Sequence, residues 1–544
     1  MRVLFALLVL GLAMPAFAQP QLARITDAVA PLNAVTKPDQ TLFLPFDGGA
    51  VFSGIGTDGD IALWRTDGTA GGTVKLTPPT GAGPANPGAP FAVFEGQVYF
   101  PGLDAQNTPR LWRMTPSGAP ETVTNAEYRS GFTVVENTVY FTGCTDAEGC
   151  EPYASNGQST DLLQDVNPGT FSSDPSGYAA WSGGVYFVAN DGQTGREPWV
   201  TRGTDASTRQ LADLYNGTQE SRASGFSPTE ALLYFVAEGK ASGEDTQTGL
   251  WATDGTEVGT TLVAEAGLAT YVVGHAGGEL IVAARDDVAG QEPHQLTGST
   301  LSLLADLSPG SIGSLGGSRP TVASFDGDLF FTAEGRVDAS QVRQIWATDG
   351  TTLRQLEIPN APRLTRYDRP IVAGGALYFT AALRETTSDA ATVEVWRLLS
   401  ADAAPERIGT LPADHAVNDW APIGDRLLVS VRTDAFGTSS ELWGIGYGTA
   451  TATEASTDPQ LELAVFPSPT QGRATVRYTL AAPSDVQLSV VDALGREVAR
   501  LHSGRQIEGP HEVTWTPADP DPGLYVVRLR TSHASVTRQL VVVR

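Results

Sequence analysis

The feature that most constrains this chain is a repeated turn that follows an aromatic residue. It occurs in nearly full form three times, as LWRTDGT at Leu63–Thr69, LWATDGT at Leu250–Thr256 and IWATDGT at Ile345–Thr351. With weaker copies included, this unit has nine anchor positions: Trp64, Trp112, Tyr153, Trp199, Trp251, His294, Trp346, Trp396 and Trp443. Their spacing averages about 47 residues, which is typical of four-stranded propeller blades and predicts a β-propeller.

A second marker precedes the anchor and supports four strands in each unit. It is an apolar triplet, found as VYF, LYF or LFF from Val98, Val139, Val185, Leu233, Leu329 and Leu377. Because this strand is apolar on both faces, we expect it to be an inner, fully packed strand. Gly, Asp and Asn separate the strands and suit hairpin turns that need a positive φ.

The ends of the repeat favour a closed ring. The ninth unit shows only three strands, at His415–Ile423, Arg426–Val431 and Glu441–Gly444, before a Gly-, Thr-, Ala- and Ser-rich linker over 446–460. The segment Gln21–Val29 resembles the fourth strands of other units. We therefore expect an all-β fold with about nine four-stranded blades, in which the N-terminal strand closes the last blade. Eight blades and a split into two rings are alternatives.

The body resembles a bacterial extracellular family built from ELW-x-x-DGT-x-x-GT units. The resemblance is carried by LWRTDGTAGGT at Leu63–Thr73 and LWATDGTEVGT at Leu250–Thr260, and it covers roughly residues 40 to 445. It implies β-propellers and supplies no agreed activity.

The turn motif itself has a structural interpretation. We expect the tryptophan to pack between blades, the Asp and Thr side chains to cap the turn, and the glycine to take the left-handed conformation. The residues concerned are Trp64, Asp67, Gly68, Trp251, Asp254, Gly255, Trp346, Asp349 and Gly350. The alternative is that the three aspartates form a ring of ligands. The structural interpretation is favoured because any repeated hairpin needs such turn chemistry.

The N-terminus predicts export. Residues 1–18 combine Arg2, an apolar run and a small-x-small site, which is typical of a signal peptide cleaved between Ala18 and Gln19. In that compartment Cys144 and Cys150 are predicted to form a disulfide across a hairpin. A two-thiol metal site is the alternative, although its other two ligands are missing. The body would then span residues 19–445.

The last part of the chain has a different pattern, with alternating strands predicted from Ala474 to the end and a small Ig-like antiparallel β-sandwich over 461–544. The order FPSPTQG, VQLSVVDALGREVARL, GPHEVTW and PGLYVVRL resembles a type IX secretion C-terminal sorting domain of type A. Ser468 stands where that family usually has Asn. The matching motif positions are Pro467, Pro469, Gly472, Asp492, Gly495, Arg496, Gly523 and Tyr525.

The resemblance of this domain has implications for the localisation and the partners of the protein. It implies transport across an outer membrane by the type IX machinery, after which such a domain is typically cleaved and the body is attached to surface polysaccharide or released. We therefore expect a secreted protein on the outer cell surface or in the extracellular space. No segment beyond the signal peptide is long and apolar enough to cross a membrane.

Charge and motifs limit the chemistry. The chain has 35 basic against 61 acidic residues, a net charge of −26, which disfavours nucleic acid as a partner. It contains no HExxH, GxSxG or P-loop sequence, and its GxGxxG at Gly54–Gly59 lies between two predicted strands. We assign no catalytic, cofactor-binding or metal-ligating residue. Calcium is left open for acidic loops, of which Asp286-Asp287 is the densest pair in the body.

These features favour a binding or adhesion scaffold that meets an extracellular glycan or protein and has no enzymatic activity. The absence of a localised catalytic motif is the reason for that preference. Two alternatives are left open: a hydrolase or lyase acting on extracellular polysaccharide, and a structural component of a surface layer. Loops of different blades can form one site that sequence spacing does not reveal.

Overall fold

The computed structural model describes two compact units, Met1–Gly448 and Thr449–Arg544. The described residues are 22–26, 29–31, 43–46, 48–57, 61–76, 90–115, 120–229, 231–239, 247–265, 271–286, 289–309, 313–316, 319–337, 340–384, 386, 391–433, 440–447, 461–466, 473–480, 484–492, 497–507, 509–516, 523–531 and 535–542. The predicted signal cleavage at Ala18–Gln19, residues 448–460 of the linker and the motif residues Pro467, Pro469, Gly472, Gly495 and Arg496 lie outside them.

The first unit consists of antiparallel sheets that follow one another along the chain. The first strand, β1 (Leu22–Thr26), belongs to sheet 9. The strands of sheets 1 to 3 are β2 (Val29–Pro31), β3 (Leu44–Phe46), β4 (Gly49–Gly56), β5 (Ile61–Thr66), β6 (Val74–Lys75), β7 (Ala92–Phe94), β8 (Gln97–Leu103), β9 (Pro109–Met114), β10 (Glu121–Thr122), β11 (Glu127–Val135), β12 (Thr138–Thr145), β13 (Gly149–Ser155) and β14 (Thr160–Leu162). Sheet 1 comprises β2 to β6, and both β2 and β3 pair with β4.

Sheets 4 to 6 repeat the same four-strand order, and a short 3₁₀ turn at Asp205–Ser207 lies between the last two strands of sheet 4. Their strands are β15 (Ser176–Trp181), β16 (Gly184–Asn190), β17 (Arg196–Thr201), β18 (Arg209–Gln210), β19 (Ser224–Pro228), β20 (Leu233–Gly239), β21 (Gln247–Thr253), β22 (Thr261–Glu265), β23 (Tyr271–Ala276), β24 (Glu279–Asp286), β25 (Gly290–Thr297) and β26 (Thr300–Leu303).

Sheets 7 to 9 complete the unit. Their strands are β27 (Val322–Phe325), β28 (Asp328–Val337), β29 (Ser340–Thr348), β30 (Leu353–Gln355), β31 (Arg366–Ala373), β32 (Ala376–Leu383), β33 (Thr392–Leu398), β34 (Glu406–Thr410), β35 (Ala416–Ile423), β36 (Arg426–Arg432) and β37 (Ser440–Gly446). Sheet 9 has the order β1-β37-β36-β35. The prediction that the N-terminal strand completes the last sheet is therefore confirmed.

The nine sheets found among the described residues pack in chain order, and the last packs on the first. Each of the nine anchors lies on the third strand of a different sheet. One apolar cluster joins Phe52 and Trp64 of sheet 1 to Leu428 and Leu442 of sheet 9, so the packing closes on itself. The all-β, propeller-type fold expected from the repeat is confirmed.

The second strand of each sheet forms the core, as the apolar triplets predict. Tyr99, Tyr186 and Tyr378 are almost completely buried, together with the apolar residues on either side of them. Both faces of these strands are covered because each sheet is sandwiched between two neighbours. Apolar burial of this kind contributes roughly 25 cal/mol per Å² and is the main stabilising term of such a fold.

The second unit is a separate small β-fold with two sheets. Its strands are β38 (Leu461–Phe466), β39 (Ala474–Leu480), β40 (Ser484–Asp492), β41 (Glu497–Gln506), β42 (Gly509–Trp515), β43 (Gly523–Thr531) and β44 (Ser535–Val542). The three-stranded sheet is β38-β39-β42 and the four-stranded sheet is β41-β40-β43-β44. Both sheets contribute to one apolar core, which includes Val476, Leu488, Trp515 and Tyr525.

Candidate functional site

The body has two rims with different construction. Because the strands of each sheet are antiparallel, the first–second and third–fourth turns lie at one rim, which we call the turn rim. The second–third loops and the connections to the next sheet lie at the opposite rim, which we call the loop rim. The repeated Thr-Asp-Gly-Thr turns belong to the turn rim.

Each repeated aspartate is engaged within its own turn. Oδ1 of Asp67 accepts hydrogen bonds from the backbone N–H of Thr69 at 2.8 Å and from its hydroxyl at 2.7 Å. The same donors lower the pKa of this carboxyl, with the hydroxyl of Thr69 as the largest cause. Asp254 and Asp349 make the equivalent bonds to Thr256 and Thr351.

The turn glycines combine a left-handed backbone with a close approach to the preceding sheet. The φ angles of Gly68, Gly255 and Gly350 are +84°, +90° and +100°. A Cβ at Gly255 would lie 2.8 Å from the hydroxyl of Tyr186 in the sheet before it. At Gly68, the guanidinium of Arg426 donates to the carbonyl oxygen at 2.7 Å. These turns therefore fasten each sheet to its neighbour.

The anchor tryptophans pack between sheets. Trp64 lies in the cluster of sheets 9 and 1, Trp251 in that of sheets 4 and 5, and Trp346 in that of sheets 6 and 7. The indole N–H of Trp64 donates to the carbonyl of Gly54 at 3.2 Å. Trp251 makes the equivalent bond to its own sheet. The tryptophans of the motif therefore supply packing between sheets.

The loop rim depends on buried glutamates that the sequence analysis missed. Glu151, Glu197 and Glu292 lie on the third strands of sheets 3, 4 and 6, and each has 0% of its surface exposed. Each stands two residues before its anchor, in CEPY, REPW and QEPH. That Glu-Pro pair is the sequence signal that could have identified them.

Each of these carboxylates holds both ends of the connection to the next sheet. Glu151 accepts from the backbone N–H of Val166 at 3.0 Å, near the start of the connection, and from that of Ser173 at 2.9 Å, near its end. Glu197 accepts in the same way from Leu214 at 3.0 Å and Ser221 at 3.1 Å. Buried polar groups satisfied in this way fix one loop conformation.

Glu292 forms the fullest clamp of the three. It accepts from the backbone N–H groups of Leu307, Ser308 and Ser314 at 3.2, 3.3 and 2.7 Å, and from the hydroxyl of Ser314. Burial raises its pKa, although these donors act in the opposite direction. Burial likewise raises the pKa of Glu151 and of Glu197 to about 7.

A disulfide and an exposed aromatic side chain lie together at the loop rim of sheet 3. Cys144 and Cys150 are bonded across the β12–β13 hairpin, which confirms the predicted disulfide. The backbone N–H of Cys150 donates to the hydroxyl of Ser172 at 3.0 Å. The adjacent Phe171 has 69% of its surface exposed. Clamp, disulfide and hydrogen bond therefore fix the backbone that presents this ring.

The structure separates the other candidate residues. Asp67, Asp254 and Asp349 belong to the turns of sheets 1, 5 and 7. Asp286 ends β24, while Asp287 lies outside the described residues. Within the described ranges, no group of three or more His, Cys, Asp or Glu side chains could hold a metal ion. No helix in the same ranges is long and apolar enough to span a membrane.

The comparisons with known proteins identify the C-terminal segment. Residues 464–543 match the family described as a secretion system C-terminal sorting domain. This type IX signal directs the protein to the cell surface or the extracellular space. No curated protein matches the chain. The resemblance of the body to the ELW-type repeat family stays a prediction.

Several solved structures match the chain at low identity and low TM-score. A prolyl endopeptidase structure has a TM-score of 0.34 and 12% identity, with 72% of this chain and 54% of that chain covered. The β-propeller domain of the Trilobed protease from Pyrococcus furiosus has a TM-score of 0.32 and 8% identity, covering 67% and 93%. PorZ, a surface component of the type IX system of Porphyromonas gingivalis, has a TM-score of 0.20 and 11% identity, covering 96% and 100%. The chain thus spans about half the length of the prolyl endopeptidase.

Proposed function

We propose that the body is a binding scaffold displayed at the cell surface, without enzymatic activity, and that its loop rim contacts an extracellular glycan or protein. The observation that carries the proposal is the presentation of Phe171 on a connection fixed by Glu151 and by the disulfide-closed hairpin. Exposed aromatic rings on a rigid backbone are effective anchors, because little conformational entropy is lost when they bind.

The backbone around Phe171 supports this assignment. A singly exposed apolar side chain is common and by itself indicates no function. At Phe171, however, buried or partly buried groups hold the backbone on both sides of the exposed ring. Asn167, for example, donates through its side chain to the carbonyl of Ser172 at 3.1 Å. A fixed backbone and an exposed ring together favour recognition.

The proposed organisation of the chain follows the export signals. Residues 1–18 form the signal peptide, 19–445 the body, 446–460 a linker and 461–544 the sorting domain. The division into two compact units near residue 448 and the family match over 464–543 support these boundaries. In this proposal the sorting domain is the part that contacts the type IX machinery, and the body is the part that meets the extracellular partner.

The test is a glycan-array screen of the purified full chain, followed by incubation with each bound glycan and analysis for new reducing ends or unsaturated products. The proposal expects saturable binding without product. Product formation would replace it with the hydrolase or lyase alternative. Self-assembly without binding to any glycan or to surface-protein extracts would replace it with the structural alternative.

A further inference from the structure

The first strands of the sheets line the centre of the body. The consecutive first strands β11, β15, β19, β23, β27, β31 and β35 contact one another in chain order. First strands that touch in this way surround the axis of a ring of sheets, while fourth strands lie at its outside. We call the surface formed by these seven first strands the channel wall.

The channel wall carries a recurrent bulge near the loop rim. The pairing of the first with the second strand shifts register at Gly131, Gly177 and Gly225, where φ is +74°, +70° and +68°. Each glycine stands nine residues before the tyrosine of the second-strand triplet. A positive φ is the reason that glycine suits this position.

In sheet 8 the same position is an arginine. Arg369 also stands nine residues before its tyrosine, Tyr378, at a register shift, and has a φ of +54°. An L-amino acid is disfavoured in this conformation, and such positions concentrate at functional sites. The backbone N–H of Arg369 donates to Oδ1 of Asp368 at 2.9 Å, which helps to hold the bulge.

A second arginine crosses the channel wall from the connection that leads into sheet 7. The guanidinium of Arg319 lies over the ring of Tyr271 on β23, with Cζ 5.4 Å from the ring centroid. The same side chain reaches sheet 5, because Nη2 of Arg319 lies 2.5 Å from the position that a Cβ at Gly225 would occupy. Since sheet 6 separates sheets 5 and 7, a side chain that spans them crosses sheet 6 at the loop-rim end of β23.

The charge pairing of these two guanidinium groups differs from that of Arg343. Among the described residues, neither Arg319 nor Arg369 forms an ion pair, whereas Arg343 is paired with Glu334 at 2.9 Å and with Asp368 at 3.4 Å. In a chain with a net charge of −26, two arginines that make no ion pair with a described residue, one on the first strand β31 and one over the first strand β23, are a local departure from the overall charge. The ring of Tyr271 additionally packs against the guanidinium of Arg319, which restricts its position.

We propose that Arg319 and Arg369 bind the sulfate or carboxylate groups of an anionic extracellular polysaccharide at the loop-rim end of the channel. This inference rests on the proposed function and specifies the class of its ligand. Neutral glycans lack the groups that a guanidinium recognises in a bidentate manner. Because the acidic remainder of the surface repels polyanions, an anionic polysaccharide can bind only around these two arginines.

The experiment compares dextran sulfate with unmodified dextran, which has the same backbone, by titration calorimetry on the full chain in about 0.15 M salt, where exposed charges are screened over roughly 8 Å. We expect dextran sulfate to bind and dextran not to bind. The double variant Arg319→Gln/Arg369→Gln should lose at least about tenfold in affinity, as expected for two charge-assisted contacts. Arg209→Gln removes one exposed arginine on the outermost strand β18 and should change affinity less than about twofold.

A second variant changes the site without changing its charge. Gly225→Ala places a methyl group against Nη2 of Arg319, so it should weaken binding of dextran sulfate even though both arginines remain. Thermal unfolding of each variant establishes that it is folded at the titration temperature. If Gly225→Ala unfolds, the arginine double variant alone decides the question.

Three results would overturn the inference. These are no binding of dextran sulfate, equal affinity of the double variant and Arg209→Gln, and equal binding of dextran. A neutral glycan that binds in the array screen while dextran sulfate does not would refute the arginine site and leave the binding scaffold intact. The two proposals therefore fail on different measurements.

Discussion

The turn rim and the loop rim use hydrogen-bonded carboxylates for opposite purposes. At the turn rim, Asp67 and Asp254 bind donors of their own turns, and the turns pack against the neighbouring sheet. At the loop rim, Glu151 and Glu197 bind donors up to 24 residues away and so fix connections whose outer residues, such as Phe171, face solvent. The most repetitive motif of this chain therefore marks packing, whereas departures from the repeat mark the surface available for recognition.

The largest expected effect is the loss of a loop-rim clamp. Glu197→Ala leaves the backbone N–H groups of Leu214 and Ser221 without their carboxylate acceptor in a buried site. At about 1–3 kcal/mol for each buried unsatisfied donor, the free energy of unfolding should fall by about 4 kcal/mol. The measurement is the shift of the urea unfolding midpoint of the full chain. A loss below about 1 kcal/mol would mean that the clamp does not hold the connection.

The next largest effect tests the turn rim. Gly157 has a φ of +81°, and a Cβ there would lie 2.1 Å from the hydroxyl of Tyr99. Gly157→Ala should therefore cost about 3 kcal/mol, from the left-handed backbone and from the clash together. Gly217→Ala is the matched control, because Gly217 has a φ of +95° and open space around its Cβ position, and should cost only about 1 kcal/mol. Equal losses would show that close packing of the turn is unimportant.

A smaller effect concerns pH. Burial raises the pKa of Glu197 to about 7 from its ordinary value of 4.5, so the folded protein binds more protons than the unfolded chain between these values. The contribution of Glu197 to the free energy of unfolding is therefore fully present below about pH 4.5 and is lost as the pH rises through about 7. Between pH 5 and 8, wild type should lose about 1–2 kcal/mol more unfolding free energy than Glu197→Gln, which cannot titrate. Parallel pH profiles of the two proteins would contradict this.

The sequence predicted the sheets because every hairpin is punctuated locally and every inner strand is apolar on both faces. It also predicted the closing strand β1. The ninth unit lacked a fourth strand and the N-terminus had a strand without a sheet, so the two were expected to pair. Strand β38 was missed, since its pairing with β39 spans the proline-rich opening of the sorting domain. That strand precedes the motif by which the domain is recognised.

The candidate site was less accessible from the sequence. The clamps of Glu151 and Glu292 join residues 15 to 22 positions apart, so their partners cannot be identified from a motif of four residues. Arg319 and Gly225 are still further apart in the sequence. They meet only because a single sheet, sheet 6, separates sheets 5 and 7. Such contacts depend on the ring as a whole, whereas the Asp-Gly-Thr turn is determined by adjacent residues.

The most direct test of the account compares one exposed apolar residue at each rim. Phe171→Ala acts at the loop rim, and Val258→Ala is the control at the turn rim, where Val258 is 91% exposed. Both variants are titrated as full chains against the glycan or protein that wild type binds. We expect about a tenfold or greater loss of affinity for Phe171→Ala, as for an interface anchor, and less than about twofold for Val258→Ala. Equal affinities, or a larger loss for Val258→Ala, would contradict the assignment of the loop rim as the binding surface.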